Sequence, residues 1–315
     1  MKTVLYIPLI LVMLLFSHIA FSFDGKESIN AEQVSEQCFS KQWPQSALVK
    51  LKADKFFLED KIQKEALSLQ LLNCLAKPDA KIRDGIAFET LSFWLRGGQL
   101  SNVIHLKMYH YLTHVLTAKV NDVNGVYQTF SMLMLSEIAR VDRKSPFLTN
   151  TQRDRIVIIG THFLTNLRDY RGFSNKVGWR HSVAHSSDLM LQLALNPKIT
   201  KAQLDTMLDA LASQVSANEQ HAYIHGEPKR IAMAVLYIFL KQQHSVEDWH
   251  KWLSSVTTPS PFNQWQDVYQ NEKGLIKLHN TQSFLFSLYA TIKASKNETL
   301  MQMVPELEIV IKEVN

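Results

Sequence analysis

Apolar residues recur at intervals of three and four positions through most of the chain after Asp60, the spacing that places side chains on one face of an α-helix. In the first such run, residues 60–76, five apolar side chains share a face: Ile62, Ala66, Leu69, Leu72 and Leu75. Alternating patterns typical of β-strands are nearly absent. The pattern therefore predicts an all-α protein with helices at 60–76, 79–96, 101–118, 124–140, 151–168, 177–195, 200–215, 228–243, 246–256, 279–294 and 298–313.

The predicted helices are separated by short segments rich in Gly, Pro and Asn, such as Gly97-Gly98 and Asn196-Pro197, which are typical of turns. Short turns favour antiparallel helix pairs, and successive pairs recur at roughly 40 residues, the period of HEAT-like arrays. We therefore expect stacked antiparallel helix pairs that form an irregular HEAT-like α-solenoid. Because the pairs show no convincing self-similarity, a closed α/α barrel is the alternative.

The chain divides into four predicted parts. Residues 1–22 have the features of a signal peptide: a basic start at Lys2, a thirteen-residue apolar run at 4–16 and a small-residue cleavage pattern at 20–22. Residues 23–58 are predicted as a partly irregular N-terminal segment, residues 59–256 as the helical-pair domain, and residues 257–315 as a connection with C-terminal capping helices. The signal peptide predicts export to the periplasm or the extracellular space, with membrane attachment only where that signal stays uncleaved.

Cys38 and Cys74 are the only cysteines of the chain. An even pair in an exported protein favours a disulfide, which would tie the N-terminal segment to the first helix of the helical-pair domain. Two buried free thiols are the alternative.

The net charge is +5, from 34 basic and 29 acidic residues. These charges do not form the basic stripe with interleaved aromatic side chains that is typical of nucleic-acid binding. We therefore expect no nucleic-acid partner.

The segment 168–190 concentrates charge, histidine and tryptophan more than any other part of the chain. On the helix predicted at 177–195, four polar side chains share one face: His181, His185, Asp188 and Gln192. Trp179 falls on the opposite, apolar face. Apolar residues flank the polar face on both edges, so we expect it to be buried, with Arg180 and Ser187 facing water. The pattern predicts either a functional site or a buried polar network.

A buried Asp188 would require a partner, because removing an unpaired charge from water costs several kcal/mol. Arg171 on the preceding loop and Arg230 on a later helix are the candidates for a bidentate contact. On this interpretation the cluster joins two helix pairs and has no catalytic role. Its other expected members are Asp169, Trp179, His181, His185 and Glu227.

The same helix also has a metal-binding interpretation. His181 and His185 have the i, i+4 spacing that lets two imidazoles bind one divalent ion such as Zn²⁺. Ser182 stands where zincin-type metalloproteases carry their catalytic glutamate, so the base would come from elsewhere. In this hypothesis Glu227 is the base and Asp188 orients or ligates, which would make the protein a metal-dependent hydrolase. A third ligand would come from another segment, with three candidates: Asp169, His225 and Glu227.

The motifs of this region are Asp169-Tyr170-Arg171-Gly172-Phe173, then Gly178-Trp179-Arg180-His181-Ser182-Val183-Ala184-His185, with Asp188-Leu189 after them. Weaker matches flank them: Arg83-Asp84-Gly85, Glu227 and Arg230-Ile231-Ala232. On these motifs, residues 60–245 resemble the bacterial family catalogued as domain of unknown function 2785. The resemblance implies an all-helical fold and brings no known activity.

The sequence thus leads to two functional hypotheses. The first is a binding or scaffold module that presents His181, His185 and Asp188 to a small molecule or peptide, with Asp169 and Arg171 holding them in place. The second is the metal-dependent hydrolase, with Zn²⁺ or another divalent metal as its cofactor.

Overall fold

The computed structural model describes residues 28–216 and 221–315. The predicted signal peptide, residues 1–22, lies outside them. The described residues form fifteen α-helices: α1 (Ala31–Glu36), α2 (Gln45–Ala53), α3 (Lys61–Cys74), α4 (Ala80–Ile82), α5 (Glu89–Arg96), α6 (Asn102–Thr117), α7 (Tyr127–Lys144), α8 (Asn150–Thr165), α9 (Ser182–Ala194), α10 (Lys201–Ala212), α11 (Glu227–Phe239), α12 (Val246–Val256), α13 (Glu272–Ser295), α14 (Glu298–Met301) and α15 (Val304–Val314). The prediction of an all-α fold is confirmed.

Other regular structure in the described residues is short. A π-helix, Arg83–Phe88, joins α4 to α5, and a 3-10 helix, Trp265–Gln270, precedes α13. Strand β1 (Ser28–Asn30) pairs in parallel with β2 (Lys119–Asn121), and β3 (Phe173–Ser174) pairs antiparallel with β4 (Gly178–Trp179). The first pair brings the start of the described chain to the loop before α7, and the second forms a hairpin before α9.

The helices pack in two neighbouring rows. Helices α7, α9, α11 and α13 follow one another in the first row, each against the next. Helices α6, α8, α10 and α12 do the same in the second row, and α8 and α10 also contact helices of the first. Successive helices from α6 to α13 therefore alternate between the two rows. Helices α9 and α11 are neighbours in the first row, and residues that precede them, His181 and His225, are in contact. The HEAT-like solenoid, with the α/α barrel as its alternative, stays a prediction.

Local sequence explains where these helices begin. The side chains of Thr149, Thr200 and Ser245 each accept a hydrogen bond from a backbone N–H of the helix that follows, and the backbone N–H of each cap donates to the side chain of the third helical residue. Such capping boxes satisfy donors that an open helix end would leave unpaired. The helices α8, α10 and α12 therefore start within one residue of their predicted positions.

The N-terminal segment is held by a disulfide. Cys38 and Cys74 are bonded, so the loop after α1 is joined to the end of α3. The disulfide prediction is confirmed, and the alternative of two free thiols is wrong. A disulfide is typical of proteins outside the reducing cytosol, which agrees with export. Among the described helices, none combines the length and the apolar character needed to cross a membrane.

A buried carboxylate fixes the end of α7 against α8 and α9. Arg153 donates to both oxygens of Asp142, at 2.6 and 3.1 Å, and the Asn196 amide donates to one of them at 3.0 Å. Backbone N–H groups of Phe147 and Leu148 complete its partners. This network holds the frame on which the polar residues of α9 are placed. Sequence reasoning missed it, since its members lie in separate helices.

Two helices start far from their predicted positions, α9 five residues later and α13 seven residues earlier. The helix predicted at 177–195 begins at Ser182, because residues 173–179 form the hairpin and His181 adopts a left-handed backbone conformation with φ of 63°. The helix predicted from 279 begins at Glu272, where Asn271 accepts a hydrogen bond from the N–H of Gly274 and so caps the first turn. The wrong start of α9 also misplaces residues of the candidate site, among them Trp179 and Arg180.

Candidate functional site

The hairpin before α9 is fixed by a buried arginine. Arg83 is completely buried, and its Nη2 donates to the carbonyl oxygens of Val177 at 2.9 Å and Trp179 at 3.2 Å. A side chain at Gly178, whose φ is +75°, would come within 2.8 Å of Ala80 Cβ. Glycine and arginine therefore allow the hairpin to lie directly on the start of the π-helix. Arg83 entered the sequence reasoning only as a flanking motif.

The hairpin presents Trp179 at the surface. Its side chain is 39% exposed, and that of Phe173, its neighbour across the hairpin, is 48% exposed. The two rings meet edge to face with centroids 5.1 Å apart, and Trp179 stacks on the His181 ring at 4.6 Å. The prediction that Trp179 lies on the apolar face of a helix is wrong, because this residue precedes α9.

The same error misplaced two other residues. Arg180 and Ser187 were expected to face water, yet they are only 7% and 0% exposed. Arg180 Nε donates to the carbonyl oxygen of Asn124 at 2.5 Å and its Nη1 to Ser174 Oγ at 3.2 Å. Ser187 Oγ donates to the carbonyl oxygen of Val183 at 2.8 Å. Arg180 therefore ties the hairpin to the loop before α7.

His181 lies at the N-terminal end of α9 and meets the segment before α11. Its Nε2 is 3.0 Å from the carbonyl oxygen of His225. Since a carbonyl can only accept, Nε2 carries the proton and Nδ1 is left as an acceptor. Burial lowers the pKa of His181, against the opposing charge of Glu227. The imidazole is therefore neutral at pH 7.

Glu227 is the first residue of α11 and is 2% exposed. One carboxylate oxygen accepts the backbone N–H of His225 at 2.9 Å. The other lies 3.7 Å from His181 Nε2 and 3.8 Å from His225 Nδ1. The position at a helix N-terminus favours a negative charge. Two imidazoles thus share one buried carboxylate.

Gly172 determines where His225 can lie. A Cβ at Gly172 would be 2.1 Å from His225 Nδ1, far inside contact distance. Glycine is therefore needed at this position for the close approach of another residue. The motif that contains Gly172 and the segment that contains His225 are separate in sequence, and this contact joins them.

His185 lies one turn into α9 and is buried. Its Nδ1 donates to the carbonyl oxygen of Thr129 at 3.3 Å, and its ring meets Phe130 edge to face. Burial lowers the pKa of His185 to about 3, with a smaller contribution from His181. This histidine is neutral at any physiological pH and joins α9 to α7.

The two histidines do not converge on a metal position. Their ring centroids are 5.9 Å apart with planes inclined at 69°, and one ring nitrogen of each is engaged by a backbone carbonyl. In the two described stretches of the chain, no three His, Cys, Asp or Glu side chains are grouped so that they could hold a metal ion. The arrangement gives the predicted metal site no support.

Asp188 pairs with Arg230, the later of its two candidate partners. Nη1 of Arg230 lies 2.6 Å from both carboxylate oxygens, so one nitrogen bridges them. Arg171 does not reach Asp188 but pairs with Asp169, at 2.8 and 2.6 Å, and donates to the carbonyl oxygen of Val123. The expected network is therefore two clusters: Asp188 and Arg230 join α9 to α11, and Asp169 and Arg171 hold the loop before α7.

The fold and the site together define an all-α protein with a polar cluster where two neighbouring helices begin. The family described as "Protein of unknown function (DUF2785)" matches residues 114–290, more than half of the 315 residues, and the chain belongs to this family. The expected family is confirmed, although the match starts later than residue 60 and leaves out Arg83. Comparison with curated proteins and with solved structures found no match.

Proposed function

We propose that this protein is an exported binding module, located in the periplasm or the extracellular space. Its site is the cluster of Trp179, His181, His225 and Glu227 where α9 and α11 begin. The ligand is a small molecule or peptide with an aromatic or apolar group that packs on Trp179 and a hydrogen-bond donor that meets His181. The observation that carries the proposal is the exposure of Trp179, whose ring stacks on His181, while His181 Nε2 lies 3.7 Å from the buried carboxylate of Glu227.

The exposed aromatic pair supports this proposal. Tryptophan usually buries most of its surface in a folded protein, but Arg83 and the hairpin hold Trp179 and Phe173 at the surface. A rigid aromatic surface loses little conformational entropy on binding. Ligand sites characteristically combine such apolar contact area with a few fixed polar groups.

The polar group of the proposed site is the imidazole of His181. The hydrogen bond from His181 Nε2 to the carbonyl oxygen of His225 fixes the imidazole, and its Nδ1 makes no hydrogen bond within the described residues. Burial keeps this group neutral, as an acceptor requires. His185, Asp188 and Arg230 would then hold α9 against its neighbours and would not contact the ligand. This differs from the expectation that His185 and Asp188 face the ligand together with His181.

A direct test uses N-acetyl tripeptide amides with Phe, Leu, Ser, Lys or Glu at the central position, screened by saturation-transfer difference NMR. We expect the Phe and Leu probes to bind and Trp179→Ala to weaken them at least about tenfold, since tryptophan dominates many binding sites. Phe57→Ala removes another exposed aromatic ring, 72% exposed, and is the matched control. Absence of binding by every probe, or binding that Trp179→Ala leaves intact, would contradict the proposal.

The alternative, a metal-dependent hydrolase, makes a different prediction. It requires about one equivalent of bound Zn²⁺ or another divalent ion in protein purified without an affinity tag, and a lower melting temperature with chelator. The binding proposal requires neither result. Metal analysis of the same preparation therefore separates the two.

A further inference from the structure

A cavity of about 550 Å³ is lined in part by the loop before α7, which Arg180 contacts at Asn124. Its walls are the segment 30–39, the turn between α3 and α4 together with Ile82 of α4, and residues 121–124. Gln45 of α2 completes the lining. The volume is within the range of about 300–1,000 Å³ that is typical of small-molecule sites. None of the residues of the proposed binding cluster lines this cavity.

Two long-range connections hold the walls together. The disulfide between Cys38 and Cys74 fixes the loop that carries Phe39 against the end of α3. The parallel pairing of β1 with β2 places Asn30 opposite Asn121. Opposite walls are therefore joined on two sides, one of them covalently, and the cavity is preformed. Preformed sites bind with a smaller entropic cost.

A hydroxyl group that lines this cavity makes no hydrogen bond with the described residues. Ser35 is only 6% exposed and lines the cavity, and its Oγ makes no hydrogen bond with any residue in the described parts of the chain. A hydroxyl without an internal partner can donate to a ligand and accept from it. The side-chain amides of Gln45, Asn121 and Asn124, which also line the cavity, likewise make no hydrogen bond with described residues.

Two of the charged groups that line the cavity accept backbone hydrogen bonds. Asp79 caps α4 through the N–H of Lys81, and Asp122 accepts the N–H groups of Gly125 and Tyr127. The ammonium of Lys77 lies 5.1 Å from the centre of the Phe39 ring. Glu32 lies in the first turn of α1, where the helix favours a negative charge. The neutral lining side chains that make no hydrogen bond with described residues are one hydroxyl and three amides.

We propose that this cavity binds a small neutral polyhydroxylated molecule, of the size of a mono- or disaccharide. Hydroxyl groups both donate and accept, as the amides and Ser35 do, so they match the free groups without introducing charge. The aliphatic lining, from Ala31, Ala76, Pro78, Ile82 and Val123, offers contact area to the C–H face of such a molecule.

The test uses the full disulfide-bonded protein and isothermal titration with glucose, trehalose and glycerol as neutral probes. Spermidine and citrate serve as charged probes of comparable size. We expect saturable binding of glucose or trehalose, and a loss of tenfold or more in affinity in both Ser35→Ala and Asn121→Ala. Gln45→Ala, on an exposed position of α2, gives a second reading if either of these variants fails to fold.

Two controls separate this cavity from the proposed function. Trp179→Ala should leave sugar binding unchanged, and Asn263→Ala, an amide outside the cavity lining, should do the same. The proposal is overturned by absence of saturable binding of all three neutral probes, by binding that Ser35→Ala, Asn121→Ala and Gln45→Ala leave intact, or by selective binding of spermidine or citrate through these residues. Sugar binding lost in Trp179→Ala would also overturn it.

Discussion

Asp188 of α9 and Arg230 of α11 are joined through one nitrogen, with Nη1 2.6 Å from each carboxylate oxygen. Burial nevertheless raises the pKa of Asp188 above its ordinary value, against the opposing charge of Arg230. A carboxyl group whose pKa is raised by folding destabilises the folded state when it is ionised. The pair therefore fixes the position of two helices and adds no stability at neutral pH.

This relationship predicts unequal effects of removing the two partners. Arg230→Gln leaves a partly buried carboxylate without its counter-charge, so the free energy of unfolding at pH 7 should fall by about 1–3 kcal/mol. Arg230 itself is half exposed, which favours the lower end of that range. Asp188→Asn removes the destabilising charge and should change stability by less than about 1 kcal/mol. Urea denaturation of both variants gives the comparison.

The pH dependence of these variants follows from the raised pKa of Asp188. The folded protein holds this proton more tightly than the unfolded chain, so stability is greatest below the ordinary pKa and is lost as pH rises through the raised one. The defect in Arg230→Gln should therefore shrink between pH 7 and pH 4. A cost in Asp188→Asn equal to that in Arg230→Gln would show that the ion pair stabilises the fold.

His185 predicts a loss of stability on the acid side. Its pKa is about 3 in the folded protein because of burial, against 6.5 for the free side chain. The unfolded chain therefore binds the proton more tightly, and stability is full above pH 6.5 and falls as pH decreases toward 3. Between pH 7 and pH 4.5 the loss from this residue should be on the order of 2 kcal/mol.

The measurement compares urea denaturation of the wild type and His185→Asn at the two pH values. Asparagine preserves a donor close to the position of Nδ1, which hydrogen-bonds to Thr129, and does not titrate. We expect a clearly smaller acid loss in the variant. Equal losses in both proteins would mean that His185 is not the group that titrates.

Gly172→Ala should displace His225 from the site. The new methyl group would overlap the imidazole at 2.1 Å from Nδ1, so the ring must leave Glu227, and stability should fall by about 1–3 kcal/mol. Gly85→Ala is the matched control, because its methyl group would meet only the mobile end of Lys52 at 3.0 Å. Histidine Cε1–H shifts report the change directly. An unchanged His225 signal in Gly172→Ala would refute the contact.

The disulfide should contribute substantially to stability. It closes a loop of 36 residues, and the chain-entropy relation gives about 3–4 kcal/mol for a loop of that length. We expect the double variant Cys38→Ala/Cys74→Ala to unfold at a correspondingly lower urea concentration, and reductant to lower the midpoint of the wild type but not of the variant. If reductant left the unfolding midpoint of the wild type unchanged, the disulfide would not contribute the predicted stability.

The helices could be predicted because each one encodes its own apolar face and its own caps. The start of α9 could not, since Gly178 and His181 take up left-handed conformations that depend on contacts with Ala80 and the segment before α11. A helical pattern that extends over 177–195 is compatible with a hairpin at its first residues. Because the start of the helix was predicted too early, Trp179 was placed on its apolar face, whereas the side chain lies in the hairpin at the surface.

The sequence also predicted only part of the candidate site, because the rest depends on contacts between separate segments. The sequence identified His181, Asp188 and Glu227, and it offered Arg171 and Arg230 as alternative partners. It could not choose between them, because that choice depends on which helices pack together. His225 was considered only as a metal ligand, and its contact with Gly172 has no counterpart in the sequence pattern. A glycine inside a charged motif was the one available signal.

The most direct test of the central claim is the NMR signal of the Trp179 indole N–H, together with the ring signals of His181, during titration with the tightest-binding tripeptide amide. The account predicts saturable shifts at these two residues and at His225, with little change at Trp249 or Trp252 in the core. Shifts confined to other parts of the protein, with the Trp179 and His181 signals unmoved at saturation, would contradict it.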